Sequence, residues 1–432
     1  MPASFFAHPH QAFTAGFYRD EDFDFDVRFL LGQAVHGAAD VGEVLATIAP
    51  LGEKDHEKWF DAWVALGTRV RRLADASAEA GHAVSAAGAY LRAATYFATA
   101  VNSVDGLGDD GPLLPTFRQH RAAWDRFVET TPHPAERVDI PYEDGFLPGY
   151  LLRPLGEETR EPRPTLILNN GSDGPISSLW TAAGAGALAR GYNVLFFDGP
   201  GQQSMLFERG VPFRHDWEAV ITPIVDFLLR YPEVDDSRIA LYGISQGGYW
   251  VPRALAFEHR IAAAIADPGV VDVSASWLAH MPKNMIELLE KGDREKFDRD
   301  MAFGMRLSGR LERTWRFRAR PYRRMDSYFD TLTEVLKYRL GDLAGSITTP
   351  LLVTDPEDEQ FWPGQSRRLA DGLPGVTELV AFTAAEGANF HCQPLARALT
   401  DQRMFDWLDT VLAERARTRA SDGGSSRQVA DG

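Results

Sequence analysis

Apolar residues recur every three to four positions along roughly the first 130 residues, after which the repeat changes to two. In the first region Asp55 stands as an N-cap ahead of Trp59, Trp63 and Leu66, which share one helical face. A second helix is predicted over 83–100, where Ala87, Tyr90, Leu91, Ala94 and Phe97 form a stripe suited to close packing, so the two make an antiparallel pair. The Gly- and Asp-rich run 102–115 breaks the pattern, and a short helix is predicted over 116–130. From Arg137 the alternation of Val138, Ile140 and Tyr142, the turn residues Glu143-Asp144-Gly145 and the return through Gly149-Tyr-Leu-Leu152 predict a hairpin. Short apolar runs at 165–168, 194–197, 239–242, 261–265, 350–353 and 378–382 then alternate with helical stretches. That rhythm predicts an α/β fold, a mostly parallel sheet covered by helices, with function gathered at the carboxyl ends of its strands.

The pattern divides the chain into a helical domain over 1–130 and an α/β domain over 131–414. Residues 271–346 interrupt the alternation with a charged, helix-rich insertion containing Trp277, Met281, Met285, Met301, Met305 and Trp315. Its place after a sheet strand predicts a lid. The methionines read first as gap-filling core and second as a flexible roof. Residues 415–432, rich in Ser, Gly, Arg and Asp, have no apolar period and are expected to be disordered. Trp59, Trp63, Tyr90 and Arg92 lie on helical stripes, where core packing competes with a cavity-lining role.

Charge narrows the function classes. A net charge of -16 opposes nucleic-acid binding and an anionic membrane surface, and it favours small neutral or cationic substrates. The Arg-rich stretch 313–324 is the local exception and reads as a solvated or salt-bridged helix face. No run is long enough to cross a bilayer, and no signal-peptide pattern opens the chain, so a cytoplasmic location is expected. The single cysteine, Cys392, excludes an internal disulfide; His8 and His10 have no companion ligand, so no metal site is expected. The loop Asp198-Gly-Pro-Gly201 lacks dinucleotide or phosphate-loop spacing, reads as structural, and leaves no cofactor to predict.

The chemistry centres on Gly243-Ile-Ser245-Gln-Gly247, which closes an apolar strand and opens a helical pattern. A serine at that sharp turn projects its hydroxyl away from the core, which predicts a nucleophile. Serine chemistry needs a base, an acid that orients it and donors for an oxyanion. Of His259, His280 and His391, the histidines that follow Ser245, only His391 sits in a loop after the last strand, and it is the predicted base. The acid is expected after strand 350–353, within Thr354-Asp355-Pro-Glu357-Asp358-Glu359. The backbone N–H of Gln246 and that of Gly171 or Ser172 are the predicted oxyanion donors. Asp173 either serves the substrate as an acid or caps the next helix. Trp250 and Trp277, with Tyr90, complete the candidate substrate-binding residues.

The elbow, together with Arg214-His-Asp-Trp217, Ala266-Asp-Pro-Gly269, Phe361-Trp-Pro-Gly-Gln365 and Glu386-Gly-Ala-Asn-Phe-His391, resembles the α/β-hydrolase superfamily. It is similar in particular to the branch of dihydropseudooxynicotine hydrolase, the fermentation-respiration switch esterase and fungal polyketide-shortening hydrolases. The resemblance covers about residues 137 to 412 and, more loosely, the N-terminal helices. It implies an N-terminal helical cap, an acyl-enzyme mechanism and cleavage of an ester or of a carbon–carbon bond next to a ketone; relatives are often dimers. Family spacing, with the acid four residues before a proline, selects Glu359, whereas the usual residue type selects Asp358, and both stay open. Two other readings compete. A prolyl-oligopeptidase-like peptidase would carry a β-propeller where this chain carries helices, and a non-catalytic binding protein would have no need of all three triad residues in order.

Overall fold

The computed structural model describes residues 15–156, 161–322 and 326–428, with side chains described as far as 417. His8 and His10 lie outside the described residues. The chain divides into two compact units, Met1–Thr130 and Thr131–Gly432.

The first unit consists of helices Glu21–Gln33, Val41–Ile48, His56–Glu79, Ala83–Ser103 and Leu113–Thr130. Asp55 caps the third by accepting from the Lys58 N–H at 3.2 Å. Trp59, Trp63, Leu66 and Val70 are buried, and the helix bearing them packs on Ala83–Ser103. The last helix begins at Leu113, ahead of the predicted start, because Pro115 falls in its first turn, where a missing N–H costs nothing. Tyr90 belongs to the core of this unit and is corrected as a substrate-binding residue. It is 1% exposed, its hydroxyl donates to Asp75 Oδ1 at 2.7 Å, and the Arg71 and Arg126 guanidiniums lie 5.2 and 5.3 Å from its ring centre. Arg92 is likewise committed, to Glu43 at 3.1 Å.

In the second unit, eight strands among the described residues form one sheet in the order β1-β2-β4-β3-β5-β6-β7-β8. They are β1 (Ala135–Tyr142), β2 (Gly145–Leu152), β3 (Arg163–Asn169), β4 (Asn193–Phe197), β5 (Val234–Ile244), β6 (Ala263–Asp267), β7 (Leu351–Pro356) and β8 (Thr377–Phe382). The β1–β2 hairpin joins β4 antiparallel, and every pairing from β4 to β8 is parallel. The central strands are apolar without alternation because both faces are covered. Ile167, Leu195, Ile239 and Leu241 join a core with Val220, Ile224, Val251 and Leu255 of helices Glu218–Leu228 and Gly247–Leu255. Helix Arg397–Gln428 also packs on β5 and β6. That helix overturns the expectation of disorder for 415–432 as far as Gln428. Met404, Phe405, Leu408 and Leu412 anchor its first turns, and the good helix formers Glu414 to Arg417 extend it at little cost.

The insertion follows β6 and carries helices Ala275–Leu278, Lys283–Lys291, Arg294–Leu307, Gly309–Ala319 and Tyr328–Val335. It has its own small core of Met285, Leu288, Leu289, Phe297 and Leu332, against which Met281, Met301 and Trp315 pack. The two ends of the insertion are fastened together. Leu340 N–H donates to the Val271 carbonyl at 2.9 Å, and Arg339 meets Asp272 at 3.0 Å. The Gln365 side chain accepts from the N–H groups of Val271 and Asp272 at 2.8 and 2.9 Å.

Candidate active site

β5 ends at Ile244 and a helix starts at Gly247, so the chain must reverse within two residues. Ser245 does this with φ at +57°, a left-handed conformation that costs a non-glycine residue about 1–3 kcal/mol. The turn closes only because Gly243 has no side chain: a Cβ there would stand 2.5 Å from both the Gly247 carbonyl oxygen and Val251 Cγ2. Ser245 N–H donates to the Asp267 carbonyl at 2.6 Å, which ties the elbow to β6. Beneath it the Asp267 carboxylate, fully buried, accepts from Thr354, Tyr242 and Arg397 at 2.7, 2.9 and 3.3 Å. Arg397 in turn donates to the Cys392 carbonyl at 2.8 Å, so this buried pair braces the elbow, β7 and the loop that carries His391.

His391 Nε2 lies 3.0 Å from Ser245 Oγ, and its Nδ1 lies 2.9 and 2.8 Å from the two carboxylate oxygens of Glu359. Glu359 Oε1 also accepts from the N–H groups of Phe361 and Trp362 at 2.9 and 3.1 Å. Burial pushes the Glu359 carboxyl up, but His391 and these two N–H groups outweigh it and hold the group below its usual range. For His391 burial favours the neutral ring, and the Glu359 carboxylate overcomes it, with smaller help from Asp267 and Asp173; the imidazole is raised. The alternative acid, Asp358, is corrected by the local pairing. It forms an isolated bridge with Phe390, its N–H donates to the Asn389 carbonyl at 2.8 Å, and its carboxylate accepts from Asn389 Nδ2 at 2.6 Å, whereas Glu359 is the carboxylate on the imidazole.

The loop after β3 approaches the elbow closely. A Cβ on Gly171 would sit 2.7 Å from Ser245 Cβ, so only glycine fits. Its N–H, however, donates to Asn170 Oδ1 at 2.9 Å, which corrects Gly171 from donor to spacer. The N–H groups of Ser172 and Gln246 have no hydrogen-bond partner among the described residues. Asn170, 3% exposed, is the residue that sequence reasoning passed over; its Nδ2 donates to the carbonyls of Gly174 and Pro175 at 2.7 and 3.0 Å and shapes the loop. Gln202, from the glycine-rich loop after β4, buttresses it by donating to the Asn170 and Gly171 carbonyls at 2.9 and 3.2 Å. The available signal was the run of amides at strand ends, Asn169-Asn170 and Gln202-Gln203, in positions where buried polar groups must be paired.

Asp173 accepts from the Ser172 hydroxyl at 3.0 Å. The residue is exposed, yet protein atoms crowd its carboxyl, and that desolvation raises it against the pull of Ser172, His391 and Arg318. Trp277 is partly buried in the insertion, with the Arg318 guanidinium 4.3 Å from its ring centre and Tyr322 edge-on at 5.6 Å. Arg318 thereby departs from the reading of 313–324 as a solvated or salt-bridged helix face. Trp250 is corrected as a substrate contact: fully buried, it stacks on Trp217 at 4.2 Å and donates to the Arg214 carbonyl at 3.1 Å.

Among the described residues no helix is long and apolar enough to cross a membrane. The alpha/beta hydrolase xenA of Xenoacremonium sinensis is 34% identical over 279 residues, 62% of this chain and 65% of the relative, so the match spans less than two thirds of that protein. The 20-hydroxy-prefusarin hydrolase FUS2 of Gibberella moniliformis is 28% identical over 418 residues, 94% of this chain and 98% of the relative. The crystal structure of the 2,6-dihydroxy-pseudo-oxynicotine hydrolase shares the fold with a TM-score of 0.69 at 20% identity, covering 88% of this chain and 95% of its own. A family model, the alpha/beta hydrolase family, matches residues 167–398, which run from β3 through the elbow to the loop of His391, and the chain belongs to that family.

Proposed function

We propose that this chain is a serine hydrolase that cleaves a carbon–carbon bond next to a ketone, a retro-Claisen process run through an acyl-enzyme on Ser245. The observation that supports the reading is Asp173, whose carboxyl is raised by desolvation and lies close enough to His391 to act on its charge. Ester cleavage releases an alkoxide that the imidazolium alone can protonate, whereas a departing carbon needs an acid placed beside it. In the proposed sequence His391 takes the Ser245 proton, and Ser245 Oγ attacks the ketone carbon. The N–H groups of Gln246 and Ser172 receive the oxyanion. Collapse breaks the carbon–carbon bond, the enolate carbon takes the Asp173 proton, and Asp173 recovers the proton held by His391. Neutral His391 then activates water, which releases the acyl group as an acid. Glu359 keeps His391 in the tautomer that accepts at Nε2.

A fluorophosphonate probe is expected to label the protein and to fail with Ser245→Ala. β-Diketones, aryl esters and lactones, tested with Ser245→Ala as blank, separate the bond classes. Asp173→Asn is expected to reduce β-diketone cleavage by roughly 100-fold or more and aryl-ester turnover far less. Turnover of aryl esters with no β-diketone cleavage overturns the carbon–carbon reading.

A further inference from the structure

Arg318 is a cation set into the insertion on neutral partners. Nη1 and Nη2 donate to the Ser276 carbonyl at 3.2 Å and the Ser276 hydroxyl at 2.7 Å, and the plane lies over Trp277. A guanidinium carries five N–H donors, and no other acceptor meets Arg318 among the described residues. Asp173 is the acid whose charge acts on Arg318, and desolvation raises its carboxyl, so it does not outweigh the burial of the guanidinium. Desolvation accordingly pushes Arg318 down to about 10, against the opposing influence of Tyr322 and Asp173. Two further polar atoms beside it are buried and have only each other to meet. They are Tyr322 Oη, whose ring packs edge-on to Trp277, and Nε2 of Gln246, the residue directly after Ser245. Buried polar groups are normally paired, and Arg318, partly buried beside this pair, keeps further N–H donors for a ligand.

We propose that Arg318, with Tyr322 and Gln246 beside it, forms an anion subsite that holds an anionic oxygen on the departing half of the substrate, and so selects acidic carbonyl compounds. The inference rests on the serine-hydrolase reading. It also runs against the net charge of the chain, which favours neutral or cationic ligands: the global field acts on approach, while the donors in the recess act at contact. Trp277 suits a flat, conjugated anion, since it already presents one planar cation. A carboxylate and an acidic enolate share this chemistry.

Three β-dicarbonyl probes distinguish the sources at neutral pH: acetylpyruvate, with a carboxylate on the departing fragment; the triketone 2-acetylcyclohexane-1,3-dione, whose charge is an enolate; and pentane-2,4-dione as the neutral arm. The wild-type protein is expected to favour at least one charged probe over the neutral one in kcat/KM, and Arg318→Gln to reduce that preference by roughly 10–100-fold. Arg318→Lys keeps the charge but loses the fork, so an intermediate preference is expected and covers the case in which the Gln variant does not fold. A bracing role alone would lower all three arms in parallel and leave their ratios as in the wild type, which overturns the subsite. Equal use of the three probes by wild type that is labelled at Ser245 also overturns it, while absence of labelling defeats the serine-hydrolase reading beneath it.

Discussion

At the carboxyl end of the sheet, Glu359, His391 and Ser245 hold one another at 2.8 to 3.0 Å, and Asp267, Thr354, Tyr242 and Arg397 close the layer beneath. Where the insertion meets the elbow, Arg318 keeps N–H donors in hand, and Tyr322 and Gln246 have only each other. Both regions are polar and sheltered, yet the first spends its groups on one another almost completely, Arg397 Nε excepted, and the second does not. Saturation fixes geometry before a substrate arrives, and unsatisfied donors reserve their strength for one. A site that must hold proton positions constant while choosing among ligands needs both kinds of wall.

The contrast breaks first at Glu359. Glu359→Gln is expected to lower kcat by about 10³–10⁴-fold, as loss of the orienting acid does in a triad, whereas Asp358→Asn, which only loses a contact to Asn389, should leave turnover nearly intact. The pH profile sharpens this result. The raised His391 must be neutral to take a proton, so kcat/KM is expected to fall as pH drops through a midpoint above 6.5; removing the Glu359 charge moves that midpoint down. An acid limb that does not move in Glu359→Gln would contradict the pairing. A smaller effect is expected at Gly171→Ala, where the new Cβ displaces Ser245 by a fraction of an ångström; about 100-fold in kcat is the scale of such misplacement, with labelling slowed in proportion. Least of all, Tyr90→Phe should lower stability by about 1 kcal/mol in urea unfolding and leave KM unchanged, since its hydroxyl serves Asp75.

The parts of the site legible in the sequence were those fixed by local backbone chemistry. A serine between glycines after a run of sheet residues admits few conformations, and a histidine after the last strand has one place to go. Asp358 and Glu359 were harder to separate because neighbouring residues in an extended segment point to opposite sides, and only the bridge of Asp358 to Phe390 decides which side faces the imidazole. Gly171 misled for a related reason: its backbone comes as close as expected, but a side chain one residue earlier had taken its N–H. Trp250 and Tyr90 were aromatic residues on helices, where one-dimensional periodicity cannot tell a core face from a cavity wall. Arg318 was hidden among arginines that differ only in the direction each one leaves its helix.

The fastening of Val271 and Asp272 to Arg339 and Leu340 gives the insertion a narrow neck. With both ends held at one bridge, the entropy of closing the excursion grows only with the logarithm of its length. The sheet therefore sees the same two attachment points whatever lies between them. A cassette cut at this neck is the natural unit for transplantation between relatives, and chimaeras joined there are expected to inherit substrate choice from the donor of the insertion and proton transfer from the donor of the sheet.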